Sequence, residues 1–313
     1  MINRTLVRTK VVQTLFAYYK DGSKTPLTAR KELLKSFSDT YSLYMMLLWF
    51  ACELTDYALE QLEDEKSRAA VTHTPYFPNY RFANNSIARI LFNNSKLRNY
   101  MGEQNLRWDA GMNAVQAIYK QLVESDIYKE YMSCSEEPTF ESEKVLWRKI
   151  YGMMMNNEAL ESSLEDMEVC LDQQGWTTDV DLVLTYVAKT IKRFSEERGN
   201  EQELLEMFDN EAELNFAKDL LQLTIEHTDE YKGIIEKSLQ NWDADRLAFM
   251  DMVILMTALT EILGFQDIAI EVTMNEYIEL AKEYSSEKSY IFINGVLDRV
   301  VNDLRKENVL FKV

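Results

Sequence analysis

Scarcity of chain-turning residues limits this sequence more than any other feature. Its 313 residues include nine glycines and four prolines. A sheet-rich fold reverses direction often, and tight turns draw on Gly and Pro for their backbone angles. Long stretches rich in Leu, Glu, Lys, Ala and Met favour helix instead. The expected class is all-α, and a hydrophobic content of 46% supplies a sizeable core.

Punctuation along the chain divides it into helices. A first helix is expected over about 4–20, broken by Asp21-Gly22-Ser23, and a long one over about 28–64. Residues 71–107 differ, with Pro75 and Pro78 followed by seven asparagines among aromatics, and predict short helices and loops. Helical patterns resume over 108–132, 141–156, 158–173 and 179–197. The charged stretch 197–210 reads as a linker, and four helices follow at about 213–240, 244–263, 271–285 and 288–306. In the last of these, Ile293, Val296, Leu297, Val300, Val301 and Leu304 recur at three- and four-residue spacing, a core-facing stripe. Ile291 falls on the opposite side with Asp298 and Asn302, and Phe292 at the stripe's edge. The two are either a contact surface or covered by other helices.

Several function classes are disfavoured. Cys52, Cys134 and Cys170 form no C-x-x-C pair, and only His73 and His227 are available to supplement them, so no zinc pattern exists and reduced thiols are expected. The amino terminus is basic but lacks an apolar signal core. The most apolar run, Leu43 to Cys52, is about half of what a spanning helix needs. All nine glycines are isolated and no G-x-G occurs, so a nucleotide-type cofactor loop, as a methyltransferase would need, is missing. The expectation is a cytoplasmic protein, not an enzyme, with no catalytic residue, metal or cofactor and no membrane association.

Net charge is −18, which opposes generic nucleic-acid binding. The charge is uneven, however. Residues 1–35 hold eight Lys or Arg against two acids, and residues 66–107 hold seven against Glu103 alone. Two basic regions on an acidic body suit local RNA contact. In 66–107 the cations interleave with Tyr76, Phe77, Tyr80, Phe82, Phe92 and Tyr100. That is either a single-strand RNA surface or core aromatics with a solvated rim.

Two segments carry a family pattern: NWDADRLAFMDMVILMTALTEIL at 241–263 and IAIEVTMNEYIELAKEYSSEKSYIFINGVLDRV at 268–300. Trp242, Arg246-Leu247, Asp251, Ile254-Leu255, Glu261, Asn275-Glu276, Glu279 to Lys282 and Phe292 to Asp298 fall in the order seen in the second half of the NusB family, which the chain resembles. The preceding stretch from Phe216 is similar to that family's central helix. At the amino end, Arg4 and Arg8 through Gln13-Thr14-Leu15-Phe16 match its Arg-rich first helix. The resemblance spans 1–20 and about 213–305, so 21–212 reads as a large helical insertion in a NusB-like bundle whose remainder is 213–313.

The resemblance implies transcription antitermination. Family members bind boxA-type single-stranded RNA with the ribosomal protein NusE and join a transcription elongation complex. RNA contact falls to Arg4, Arg8, Lys10, Lys288, Tyr290 and Phe292, and partner contact to Phe16, Asp245 and Asp251. Arg8 lies on the core-facing line with Val11 and Leu15, and Asp251 sits amid Leu247, Ile254, Leu255 and Ala258. A buried guanidinium needs an acid, so the two are expected to pair across the bundle. Where the family reads roughly E-D-S-H-K-F, this chain has Glu287-Lys288-Ser289-Tyr290-Ile291-Phe292, which alters the RNA-contacting stretch. The alternative is a helical protein–protein adaptor that kept the fold without RNA binding.

Overall fold

The computed structural model describes residues 1–239 and 248–310. Among them are fourteen α-helices and two 3-10 turns. The one β feature is an isolated parallel bridge between Ile2 and Phe208. The chain divides into two compact units, residues 38–207 with Met1, and residues 2–37 with 208–313. Helix α1 (Arg4–Lys20) lies wholly in the second unit, and the 47-residue α2 (Pro26–Thr72) contributes to both.

In the first unit, α2 from residue 38 onward is the central element, with Leu43 to Leu48, Phe50, Ala51 and Leu54 buried. It continues past residue 64 to Thr72 because Glu63 and Lys66 pair one turn apart and no helix breaker precedes His73, which takes positive φ. Then come α3 (Ser86–Asn93), α4 (Ser95–Glu103), α5 (Met112–Glu124), α6 (Asp126–Ser133), α7 (Phe140–Met153), α8 (Glu158–Leu171) and α9 (Trp176–Arg193). Three buried aromatics donate to carbonyls of α2: Trp108 Nε1 to Met46 (3.0 Å), Trp176 Nε1 to Asp39 (2.7 Å) and Tyr151 hydroxyl to Leu47 (2.9 Å). A helical carbonyl has a second lone pair, so each large ring is buried with its polar atom satisfied.

The asparagines of 71–107 explain the short helices there. Asn85 caps α3 by accepting from Ile87 N and Ala88 N, and Asn94 caps α4 by accepting from Leu97 N. The single helix expected over 108–132 is instead divided. Ser125 ends α5 and its hydroxyl caps α6 through Tyr128 N. Gly111 is required sterically, because a Cβ there would meet the Trp108 ring and Met167 Sδ. The acidic stretch after α9 is irregular, as expected, but it is tied down rather than free. Buried Gln202 bonds Ser195 and Gly199, and Asn94 Nδ2 donates to the carbonyls of Asn200 and Gln202.

In the second unit α10 (Glu211–Glu226), α11 (Thr228–Ser238), α13 (Ile270–Tyr284) and α14 (Ser289–Lys306), together with α1, all contact α12 (Phe249–Gly264). Helix α12 is mostly apolar and buried on every side from Val253 to Ile262, as a helix inside a bundle must be, with Asp251, Thr257, Thr260 and Glu261 its buried polar residues. Its two buried threonines donate one turn back, Thr257 to Val253 O and Thr260 to Met256 O. The expected helix 213–240 is broken at His227, where Thr228 bonds the carbonyls of Thr224 and Ile225. The six-residue stripe of α14 is buried in full, and Ile291 opposite it is 59% exposed. No helix among the described residues is long and apolar enough to cross a membrane, and none of their His, Cys, Asp and Glu side chains group to hold a metal ion.

Candidate nucleic-acid interface

Helix α1 begins at Asn3, whose side chain accepts from Leu6 N at 3.0 Å. Of its three expected RNA-contacting cations only Arg4 is exposed. Arg4 Nε lies 3.3 Å from Glu213, and its guanidinium sits over the Phe216 ring at 5.1 Å. Arg8 and Lys10 are 2% and 3% exposed and so are not presented to a phosphate. This corrects the expectation for both. The middle of α1 is enclosed on most sides, so residues off its main apolar line are covered too.

Arg8 is held by an acid, but not by Asp251. Its Nε and Nη2 donate to the two oxygens of Glu261 at 2.7 and 2.8 Å, and Nη1 lies 3.3 Å from Glu276. Glu261 is fully buried and also accepts from Thr273 (2.7 Å) and Tyr277 (3.2 Å). Four protein donors thus satisfy one carboxylate, the condition under which a buried ion pair is tolerable. Burial works against the Arg8 charge, but the hydrogen bonds and charge of Glu261, with Tyr277 and Glu276, outweigh it and raise the pKa. Burial, then the Glu261 charge, drives the Tyr277 phenol well above its ordinary value, so it stays a donor.

Asp251 stands ten residues before Glu261, about 15 Å along the helix axis, beyond what Arg8 spans. Its carboxylate accepts instead from Ser285, in a short hydrogen bond, and from Ser289 at 2.9 Å. It is buried and fixes the turn from α13 into α14, so it neither pairs with Arg8 nor faces a partner. Glu261 lies on the same apolar stripe as Ile254 and Ala258, and that placement was the available clue. The serines at 285 and 289 carried none.

At the start of α14, Lys288 is exposed and Tyr290 is partly buried, with Lys282 Nζ 5.5 Å from its ring centre. Lys288, Ile291, Phe292 and Val296 line a 420 Å³ groove with Leu239 and Arg299, and Arg299 donates to Ser238 O at 2.8 Å. Lys282 was marked in the sequence only as part of the family pattern, and Arg299 was not singled out at all. The groove and the Arg4–Phe216–Arg8 stack share no residue, so the candidates form two clusters. Phe16 meets Phe249 edge-on at 5.2 Å, with Lys20 Nζ 5.4 Å from its ring. Phe249 is exposed, which makes this an aromatic edge on the surface of the unit. Asp245, like Trp242 and Arg246, lies outside the described residues.

The model of the NusB family matches residues 179–302, from within α9 through most of α14. The Transcription antitermination protein NusB of Finegoldia magna is 43% identical over 99 residues, 32% of this chain and 71% of the relative. That of Thermodesulfovibrio yellowstonii is 38% identical over 118 residues, 38% of this chain and 74% of the relative. That of Bacillus subtilis is 39% identical over 98 residues, 31% of this chain and 75% of the relative. No solved structure matches. Glu261 with Thr273, Glu276 and Tyr277, and the Asp251 turn, fall inside the matched range, though Arg8 does not; on the family match and the relatives covered over 71–75% of their length, the chain belongs to the NusB family.

Proposed function

We propose that this protein acts in transcription antitermination by holding boxA-type single-stranded RNA, together with the ribosomal protein NusE, within a transcription elongation complex. The observation that carries this reading is the family match over 179–302. Exposed Lys288 and partly buried Tyr290 and Phe292 at the start of α14, with exposed Lys282 on α13, lie within that range. Lys288 supplies charge, Tyr290 a stacking face with Lys282 beside it, and Phe292 an apolar wall. Arg4 adds a further exposed cation, on α1. The Phe16–Phe249 edge, with Asp245, is assigned to NusE. Such a protein works by positioning, so no catalytic group and no cofactor enter the proposal. It acts in the cytoplasm, where transcription takes place.

The test is fluorescence anisotropy with a boxA RNA, with and without NusE, over a salt series. Single-strand binding loses a log–log slope of about 0.7 per phosphate contact, so Arg4→Ala with Lys288→Ala should flatten the slope by about 1.4. Tyr290→Ala should weaken binding about tenfold through lost stacking. RNA binding that ignores all three substitutions refutes the site. The adaptor reading draws on the net charge of −18 and the burial of Arg8 and Lys10. Retention of NusE with no RNA binding in any condition would establish it instead.

A further inference from the structure

We propose that the α3–α4 face of the first unit is a second binding site, for single-stranded nucleic acid, with bases stacking at Trp49 and Phe92 and phosphates held by Arg89 and Arg98. This is independent of the reading above and concerns residues outside the family match.

Three depressions adjoin along this face. One of 710 Å³ and one of 490 Å³ share Asn84 and Arg89 as a common wall. Phe92 borders the second and meets Trp49 at 5.7 Å between ring centres, and Trp49 lines a third, of 360 Å³, with Arg98, Asn105 and Arg107. The result is a run of open depressions along one face and not a closed pocket for a small molecule. Phe92 is 47% exposed although it is a large aromatic on a short helix. Trp49 is fixed by its indole N–H, which donates to Glu53 at 2.8 Å, so the ring is preset for stacking.

The cations divide into two groups. Lys66 pairs with Glu63, Lys96 with Glu206 and Arg107 with Asp109, and Arg81 donates to the carbonyls of Cys134 and Glu136. Arg89 and Arg98 are exposed on α3 and α4, and neither forms an ion pair among the described residues; Arg68, near the end of α2, is likewise exposed and in no ion pair but lines none of the three depressions. Unpaired arginines alternating with aromatic rings and amides are what a single strand requires, because every base has a stacking face and every linkage a phosphate. A protein partner of the usual kind would instead meet an apolar centre, and here the apolar side chains of α4, Leu97 and Met101, are buried.

Acids temper the site. Glu53 and Asp56 border the depressions, and burial pushes both carboxyls above their ordinary range. Affinity should therefore lie in the non-specific class, about 10⁻⁴ to 10⁻⁶ M at physiological salt.

The experiment uses the full chain carrying Lys288→Ala and Tyr290→Ala, which removes the α14 site from the readout. A short unstructured RNA of repeating C-A-A is titrated while anisotropy and tryptophan fluorescence are followed. Binding with quenching is expected. Arg89→Gln with Arg98→Gln should weaken it about tenfold or more and flatten the salt slope by about 1.4. Phe92→Ala, at an exposed position, should weaken it about tenfold. Circular dichroism of each variant should match its parent. No binding by the parent, or binding indifferent to Arg89, Arg98 and Phe92, overturns the proposal. Failure of the α14 reading would appear separately, as boxA binding equal in the wild type and this parent.

Discussion

Removing Glu261 should uncouple α1 from the bundle. Glu261→Ala leaves the Arg8 guanidinium buried with Glu276 as its remaining acid, at 3.3 Å, and leaves the hydroxyls of Thr273 and Tyr277 without the acceptor they share. Breaking a buried pair from one side costs about 3–5 kcal/mol, whereas replacing both members by apolar groups of similar size is close to neutral. Arg8→Met with Glu261→Met should therefore be less damaging than Glu261→Ala alone, by about 2 kcal/mol or more. With two compact units the chain is a poor subject for a single unfolding midpoint. Native-state hydrogen exchange of α1 and α13 amides reads the local free energy directly. A loss of under about 1 kcal/mol for Glu261→Ala, or a double variant as unstable as the single one, would refute the view that an uncompensated buried charge dominates.

Other expectations follow from the same contacts. Gly111→Ala forces a methyl against Trp108 and Met167 and should cost about 1–3 kcal/mol, seen as a lower denaturation midpoint of the first unit. Glu53→Gln should stabilise that unit at neutral pH. A carboxyl raised by burial holds its proton more tightly when folded, so stability is present at acid pH and lost as pH rises through the folded value; the gain should vanish below the ordinary glutamate range. Asp251→Ala takes the charged acceptor from the Ser285 and Ser289 hydroxyls, which keep only their bonds to neighbouring serines, and should speed exchange from Tyr284 to Ser289 at a cost of about 1–3 kcal/mol. Phe16→Ala should lower affinity for NusE about tenfold and leave RNA binding unchanged, measured by calorimetry.

Helix positions were legible because they depend on local patterns. The α14 stripe, the short helices after Asn85 and Asn94, and the break at Asp21 all follow from spacing and capping chemistry. Breaks at Ser125 and His227 were not foreseen, since Ser and Thr also occur inside helices and only their hydroxyl geometry marks the division. At the site, a helical wheel identified Arg8 as core-facing and in need of an acid. It led to Asp251 and not to Glu261, because both lie on the buried side of α12 and the choice depends on where α1 crosses that helix. Burial of Lys10 was hidden for a related reason: enclosure by several helices is not written in the periodicity of one. Residues 66–107 read as one basic stretch, yet Lys96 is matched by an acid and Arg81 by carbonyls distant in sequence, which the stretch itself does not reveal.

Arg8 and Glu261 are 253 residues apart in the chain. At about 5–20 residues per second, a ribosome needs roughly 13–50 s to deliver the acid after the arginine has emerged. Residues 38–207 are complete well before then and carry their own core, while α1 has none of its partners from α10 to α14. The second unit is therefore an end-to-end closure over an already synthesised middle, a non-local step that is slow and exposes Val7, Val11 and Leu15 in the interval. The cost of separating α1 in sequence from the helices it packs on is incurred during synthesis, and expression yield should rise with chaperone supply.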